Sequence, residues 1–228
     1  MELQMKWLNE SYNRSKKLKD TYKLHDIDIF IKDQLPDHID PDFVFNYIKQ
    51  RVPGYLLKGV DMIYIGQFDK IIDKEANALY QDGAIYLTNI QDDDKDMIDD
   101  IIHEIAHSVE DIYGHMIYDD PLLNNEFLGK RKRLYADLES HNYNPPQELQ
   151  VQSEYSKEID NYLYKNVTYD AMWHFVGGLF PSPYAATSLR EYFARGFEEY
   201  AFGNGKELKQ SCPVLYRKLR MLFEMEDT

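Results

Sequence analysis

Residues 94–114 read DKDMIDDIIHEIAHSVEDIYG, which is the clearest helical pattern in the chain. Apolar side chains recur there at three- and four-residue spacing, as they do along the buried face of an amphipathic helix. These side chains are Ile98, Ile101, Ile102, Ile105, Val109 and Ile112. Aspartates crowd the start of the stretch, where the helix dipole favours negative charge, and Gly114 is expected to end it. The sequence therefore predicts a helix over 94–114 with one face in the core.

The same helix carries the sequence His-Glu-Ile-Ala-His at residues 103–107. Positions i and i+4 share one face of a helix, so His103 and His107 can turn toward one cation. Glu104 can reach a water in the open position of such a metal and take its proton. Chance would produce the motif roughly 0.015 times in a chain of this composition. The alternative, a surface helix that carries two histidines without a metal, is therefore the weaker interpretation.

A catalytic zinc ion usually has three protein ligands and one water, so two histidines need a partner. The elongated motif H-E-x-x-H-x-x-G-x-x-H is excluded, because Glu110 and Tyr113 stand where it requires glycine and histidine. We therefore expect a carboxylate from further along the chain as the third ligand. Glu110 and Asp111 are candidates to orient a ligand histidine, and simple solvent exposure is the alternative for both.

Composition limits the classes of protein to which the chain can belong. A net charge of −14 disfavours a nucleic-acid partner, because phosphate binding needs concentrated basic residues. We interpret the two basic clusters as solvated helix faces; they comprise Lys6, Arg14, Lys16, Lys17, Lys19 and Lys23, and Lys130, Arg131, Lys132 and Arg133. The sequence shows neither a membrane-spanning run nor a secretory signal, and it has one cysteine. We expect a cytoplasmic protein without a membrane partner, although delivery outside the cell or in a virion stays open.

The remaining periodicities predict a mixed α and β architecture. Strands are expected over 25–33, 60–68 and 84–89, which are rich in β-branched and aromatic residues. Asp40 and Pro41 open a predicted helix that runs to about Gln50. Further helical segments are predicted over 3–24, 125–140, 147–165, 188–202 and 212–225. Strands and short helices thus come first and long helices later, which is typical of an α+β domain.

Two segments together resemble one known family. HEIAHSVEDIYG, at 103–114, and YAATSLREYFARGF, at 184–197, are similar to the catalytic domain of the anthrax lethal factor group of zinc metallopeptidases, which includes small Pro-Pro endopeptidases of clostridia. The resemblance covers roughly residues 60–225 and is strong at the two motif helices. It implies a zincin-like fold, in which a small mixed sheet packs on the H-E-x-x-H helix and a mostly helical part follows. We accordingly expect a catalytic domain at 56–228, with an inserted segment at about 120–182, and an N-terminal part at 1–55 that packs on it.

The resemblance also implies roles for individual residues. By position, Glu191 becomes the third zinc ligand and Tyr184 a phenol that stabilises the oxyanion. Two simpler interpretations stay open. Ser188-Leu-Arg-Glu191 is itself a capping-box pattern, and Tyr184 is one of 19 tyrosines. Arg195 departs from the family, which has glutamate there; it could pair with Glu191 or Glu199, or it could meet a carboxylate of the substrate.

The function expected from these residues is that of a zinc-dependent metalloendopeptidase with one Zn²⁺ ion and a peptide or protein substrate. Glu104 would be the general base and Tyr184 an oxyanion stabiliser. The strand at 84–89 is expected to be the sheet edge on which an extended substrate adds. The alternatives are a zinc-binding module without catalysis and a metal-free helical protein with a chance motif.

Overall fold

The structure is a computed structural model, and it describes residues 22–74 and 76–225. The chain forms two compact units, of which the first ends at Ile105 and the second begins at Ala106. Most of the helix expected over 3–24 lies outside the described residues. Its last three residues, Tyr22–Leu24, form a strand, so the prediction was wrong there. The predicted division at residue 55 stays a prediction.

The first unit is built on a five-stranded sheet, whose mixed character was predicted. Its strands are β1 (Tyr22–Leu24), β2 (Ile27–Ile31), β3 (Met62–Ile65), β4 (Ala78–Gln81) and β5 (Ala84–Leu87). In space their order is β1-β2-β3-β5-β4. The pairs β2–β3 and β3–β5 are parallel, whereas the two outer pairs are antiparallel.

Alternation along the strands gives the sheet one buried face. Ile29, Ile63 and Ile85 share one rung of the sheet and are at most 2% exposed. Neighbouring residues point to the other face, where the ring of Tyr64 stacks on that of Tyr86 with centroids 5.3 Å apart. This period of two is the pattern that identified β2 in the sequence, whereas β3 and β5 were identified by their β-branched and aromatic residues.

Strand β4 was missed by the sequence analysis, and its presence changes the expected edge. It pairs antiparallel with β5, so β5 lies between β3 and β4 rather than at the edge. The prediction that 84–89 is an edge strand was therefore wrong. The two strands are joined at Asp82 and Gly83, whose φ values of 52° and 78° are those of a tight hairpin turn. Ala78–Gln81 lacks the β-branched residues that marked the other strands.

Two short helices and the start of a long one complete the first unit. Helix α1 (Pro41–Arg51) begins as predicted, because Asp40 accepts a hydrogen bond from the Phe43 amide and Pro41 occupies the first turn. Helix α2 covers Asp69–Ile72. The sheet packs on the first part of helix α3 (Asp94–Tyr118), which is the helix predicted over 94–114.

Helix α3 follows the predicted apolar stripe, with two differences. Ile98, Ile101, Ile102, Ile105 and Val109 are buried, whereas Ile112 is 43% exposed. Gly114 does not end the helix, which continues to Tyr118. A glycine ends a helix when the chain turns to positive φ, and Gly114 is not among the glycines that do so.

The second unit is almost entirely helical in the residues that the structure describes. After the rest of α3 come α4 (Leu122–Ser140), α5 (Lys157–Asn161), α6 (Tyr169–Val176), α7 (Leu189–Ala201), α8 (Gly205–Ser211) and α9 (Pro213–Phe223). A single π-helical segment, Tyr162–Val167, connects α5 with α6. Helices α6 and α8 were not predicted. Among the described residues, no helix is long and apolar enough to cross a membrane.

Close packing of α7 on α9 depends on one glycine and one glutamate. A Cβ atom at Gly196 would come within 2.4 Å of Leu215 Cδ2, so the two helices approach closely because this residue has no side chain. The carboxylate of Glu126, on α4, accepts hydrogen bonds from the amides of Val214 and Leu215 in the first turn of α9. That turn would otherwise leave its amides without helical partners.

Helix α4 also corrects the interpretation of the second basic cluster. Lys130 and Arg131 are 7% and 0% exposed, so they do not belong to a solvated face. Lys132 and Arg133 are exposed, as predicted. In the first cluster, Lys23 is exposed and its other members lie outside the described residues.

Candidate metal centre

The structure brings together the three residues that the sequence proposed as metal ligands. His103 and His107 lie one turn apart on α3, and Glu191 lies in the first turn of α7. One ligand atom from each lies within 4.8 Å of the other two. All three side chains are partly buried. This His-His-Glu triad could hold a metal ion.

The donor set and its spacing agree with those of zinc sites. Two imidazoles and one carboxylate leave a fourth position open, as in catalytic zinc sites. Zinc–ligand bonds of about 2.1 Å at tetrahedral angles place neighbouring donor atoms about 3.4 Å apart. His107 Nε2 and Glu191 Oε1 are separated by 3.7 Å. His103, His107 and Glu191 therefore fit a zinc ion.

The imidazole of His107 is oriented by a second carboxylate. Its Nδ1 atom lies 2.7 Å from Glu110 Oε2. A neutral His107 that donates from Nδ1 to this carboxylate leaves the lone pair of Nε2 for a metal on the side of Glu191. Carboxylate–histidine pairs of this kind fix the ring of a metal ligand. For Glu110 the orienting role fits better than solvent exposure, whereas Asp111 is exposed.

Glu110 is held by two further groups that the sequence analysis did not identify. The Tyr118 hydroxyl donates to Glu110 Oε1, and Arg190 Nε lies 3.1 Å from Glu110 Oε2. Burial and the neighbouring Glu110 charge raise the pKa of Tyr118, so its hydroxyl stays protonated and remains a donor. Helical spacing does not identify the contact between Glu110 and Tyr118, because they are eight residues apart and side-chain neighbours on a helix are three or four apart.

The serine half of the predicted capping box is present beside Glu191. The Ser188 hydroxyl accepts a hydrogen bond from the Glu191 amide and caps α7, as the capping-box interpretation expects. The Glu191 carboxylate nevertheless lies toward His107. Capping by Ser188 thus holds the main chain from which the third candidate ligand projects.

Glu104 lies beside His103 and is 7% exposed. Its Oε2 atom accepts a hydrogen bond of 2.5 Å from the Tyr80 amide of β4. The side chain is thereby fixed against the edge strand of the sheet. In this position one carboxylate oxygen is used by the main chain of β4.

Tyr184 opens a short 3₁₀ turn, Tyr184–Ala186, immediately before α7. Burial and the negative charges of Glu191 and Asp160 raise its pKa, so the phenol stays protonated at neutral pH. The guanidinium of Arg195 lies 5.7 Å from the centre of the Tyr184 ring. Arg195 Nη1 also pairs with Glu198 Oε2 at 2.7 Å, and the sequence analysis had not considered Glu198 as a partner.

Asp160 and two tyrosines lie near Tyr184 and come from the segment that was predicted as an insertion. The hydroxyls of Tyr155 and Tyr169 donate to the two oxygens of Asp160, at 3.0 and 2.9 Å. The ring of Tyr169 meets that of Tyr184 edge to face, with centroids 6.3 Å apart. No sequence motif identified Tyr155, Asp160 and Tyr169, because they come from separate elements of the segment that was predicted as an insertion.

Asp100 lies one turn before the motif, on the same helix. Burial, together with the negative charge of Asp96, raises its pKa to about 7, although a hydrogen bond from Gln91 acts against this shift. Gln91 Nε2 donates to Asp100 Oδ2 at 3.3 Å. Half-protonation near neutral pH is unusual for an aspartate, and no sequence pattern distinguishes Asp100 from the other aspartates of the helix.

Comparisons with protein-family models, curated proteins and solved structures found no match to this chain.

Proposed function

We propose that the chain is a zinc-dependent metalloendopeptidase, as the resemblance to the lethal factor group implies. The observation that carries this proposal is the His103, His107 and Glu191 triad, with Glu104 adjoining it on the same helix. Glu110, which lies at the Nδ1 atom of His107, adds support, because histidines that bind a metal almost always donate their other ring N–H to a carboxylate, a carbonyl or water.

A zinc ion bound by the triad would polarise a scissile carbonyl and lower the pKa of water to about 7. Glu104 would take the proton of the attacking water and deliver it to the leaving amine. Its Oε2 atom is bonded to the Tyr80 amide, which leaves Oε1 for this proton transfer. The peptide bond would break as the carbonyl carbon gains the water oxygen and the amine nitrogen gains the proton.

Tyr184 would donate a hydrogen bond to the oxyanion that forms on the carbonyl. Its raised pKa supports this role, because a phenol must keep its proton in order to donate. Removal of one such donor costs about 2.7–4 kcal/mol of transition-state stabilisation in other enzymes. We therefore expect Tyr184→Phe to lower turnover about 100-fold or more and to leave zinc affinity unchanged.

An extended peptide would bind along β4, which takes the place of β5 as the edge of the sheet next to Glu104. Edge strands offer main-chain groups to an added strand. The Tyr80 amide already donates to Glu104. A peptide would therefore pair with the main chain of β4 on either side of Tyr80.

A zinc-binding module without catalysis is the second candidate. It is favoured by the surroundings of Glu104, whose carboxylate is buried and already accepts a hydrogen bond from Tyr80. A base held in this way is well placed to stabilise the sheet edge. Turnover of a peptide by the wild type, abolished by Glu104→Gln, would exclude this candidate.

The first test is metal content, measured by mass spectrometry on identically purified proteins. We expect about one zinc ion in the wild type, none in His103→Ala and a reduced amount in Glu191→Ala. Glu104→Gln should keep its zinc and fail to cleave a peptide library that the wild type cleaves. A wild type without zinc, even after reconstitution, would refute the proposed function.

A further inference from the structure

The most deeply buried charge in the described part of the chain is the guanidinium of Arg131, on α4. Its Nε atom donates to Ala186 O at 2.9 Å, and its two terminal nitrogens donate to Thr187 O and Gln152 O. One face of the guanidinium lies 4.7 Å from the ring centre of Phe127. Each of the three nitrogens of the guanidinium therefore donates to a main-chain carbonyl.

Two of these carbonyls belong to the segment that carries Tyr184 and leads to Glu191. Ala186 ends the 3₁₀ turn that Tyr184 begins, and Thr187 follows it. The Thr187 hydroxyl donates to Tyr184 O at 2.8 Å, while Ser188 caps the helix of Glu191. Arg131 thus holds the main chain midway between the two proposed functional side chains.

The third carbonyl joins a second segment to the first. Gln152 precedes Ser153, whose carbonyl accepts a hydrogen bond of 2.8 Å from the Leu189 amide. Arg131 and this main-chain bond together connect residues 152–153 with residues 186–189. A displacement of the 186–189 segment would have to break hydrogen bonds to Arg131 that are buried.

An arginine suits this position for a chemical reason. Burial lowers its pKa to about 10, which still leaves it charged at neutral pH. Hydrogen bonds from a charged donor are roughly twice as strong as neutral ones, and a planar fork reaches three carbonyls in fixed directions. A lysine has one nitrogen at the end of a flexible stem and cannot bond all three carbonyls at these positions.

We propose that Arg131 is a positioning residue for Glu191 and Tyr184, and that it sets the affinity of the site for its metal through the main chain of residues 184–191. The inference rests on the proposed function, in which Glu191 binds the metal. Arg131 lies on α4, outside both motif helices, and acts on Glu191 through the main chain.

The test compares Arg131→Lys and Arg131→Gln with two control variants. Arg133→Lys makes the same exchange at an exposed position of the same helix. Lys130→Met removes the neighbouring buried cation, whose Nζ atom donates to Leu179 O and Ser211 O, away from the 184–191 segment. This second control reports what loss of a buried cation does to stability alone.

Three quantities are measured for each full-length variant: the melting temperature, the Zn²⁺ dissociation constant by competition with a chelator, and hydrogen exchange of the Leu189 and Glu191 amides in metal-free protein. Arg131→Lys should weaken Zn²⁺ binding about tenfold or more, as loss of supporting groups does in metal sites. Exchange of both amides should accelerate by a similar factor. Lys130→Met should lower the melting temperature and leave the other two quantities unchanged.

Unchanged Zn²⁺ affinity and exchange in a folded Arg131→Lys would overturn the proposal. So would an equal loss of Zn²⁺ affinity in Lys130→Met, because the effect would then follow stability rather than position. If both Arg131 variants fail to fold, Arg131 supports the whole unit and the assignment is wrong.

The exchange measurement separates this inference from the proposed function. A wild type that binds no Zn²⁺ refutes the proposed function, and the amides of Leu189 and Glu191 then decide alone whether Arg131 positions the segment. Faster exchange in Arg131→Lys would support positioning in that case, and unchanged exchange would refute it.

Discussion

Replacement of Asp100 by asparagine should stabilise the metal-free protein at alkaline pH and leave it unchanged at acidic pH. Burial and the charge of Asp96 raise the pKa of Asp100 from 3.8 to about 7. A carboxyl whose pKa is raised by folding binds its proton more tightly in the folded state. Its contribution to stability is therefore complete below about pH 4 and is lost as the pH rises through about 7.

The size of the effect follows from the two pKa values. A tenfold change in proton affinity corresponds to about 1.4 kcal/mol, so ionisation of Asp100 costs the folded state about 4 kcal/mol at pH 8. Asparagine keeps the size of the side chain and an oxygen that can accept from Gln91, but it has no charge to bury. The difference in unfolding free energy between Asp100→Asn and the wild type should thus grow from near zero at pH 4 to a few kcal/mol at pH 8.

The assay is urea unfolding with a chelator present, at several pH values between 4 and 8. Asp111→Asn is the matched control, because Asp111 is an exposed aspartate on the same helix. Groups that do not interact with Asp100 titrate alike in the variant and the wild type, so the difference reports Asp100 together with its coupling to Asp96. A difference that does not change with pH, or that falls as the pH rises, would refute the reasoning.

Three further predictions concern the second unit. Glu110→Gln should weaken zinc binding about 10- to 100-fold in a chelator competition, because it removes the carboxylate that orients His107; unchanged affinity would contradict that role. Gly196→Ala should lower the unfolding free energy by about 1–3 kcal/mol, because the added methyl group overlaps Leu215, and Leu215→Ala should make the same glycine replacement less costly. Glu126→Gln should cost about 1–2 kcal/mol in thermal unfolding, because charged acceptors for the first amides of α9 are lost; an unchanged melting temperature would argue against this cap.

Helical periodicity predicted much of the fold because the buried faces of α3 and α7 are continuous. Asp40 and Ser188 likewise marked helix starts through chemistry that acts within a few residues. The elements that were missed lack such local signals. Strand β4 has four residues and is defined by its pairing with β5, and Gly114 resembles a stop although the helix continues through it.

Two of the candidate ligands were predictable for the same reason, since His103 and His107 are one turn apart in the sequence, whereas Glu191 was expected only from the family resemblance. Their supporting residues were not. Arg131 bonds to carbonyls, which every residue possesses, so no sequence pattern distinguishes it from the exposed Arg133 nearby. Likewise, the pKa of Asp100 depends on burial rather than on its neighbours in the chain.

The short outer strands of the sheet have a consequence for the behaviour of the protein at high concentration. Unpaired strand edges are the usual starting points for aggregation, because they can pair with the same edge of another molecule. Here β1 has three residues and β4 has four, while Lys23 and Asp28 pair at one end and the Tyr80 amide is occupied at the other. The short length of both edge strands and the bond at the Tyr80 amide limit how far another sheet could extend along them, so the described part of this unit should resist edge-to-edge association, although a single extended peptide can still pair with the residues beside Tyr80. A charge-neutral lengthening of β4 would weaken that protection.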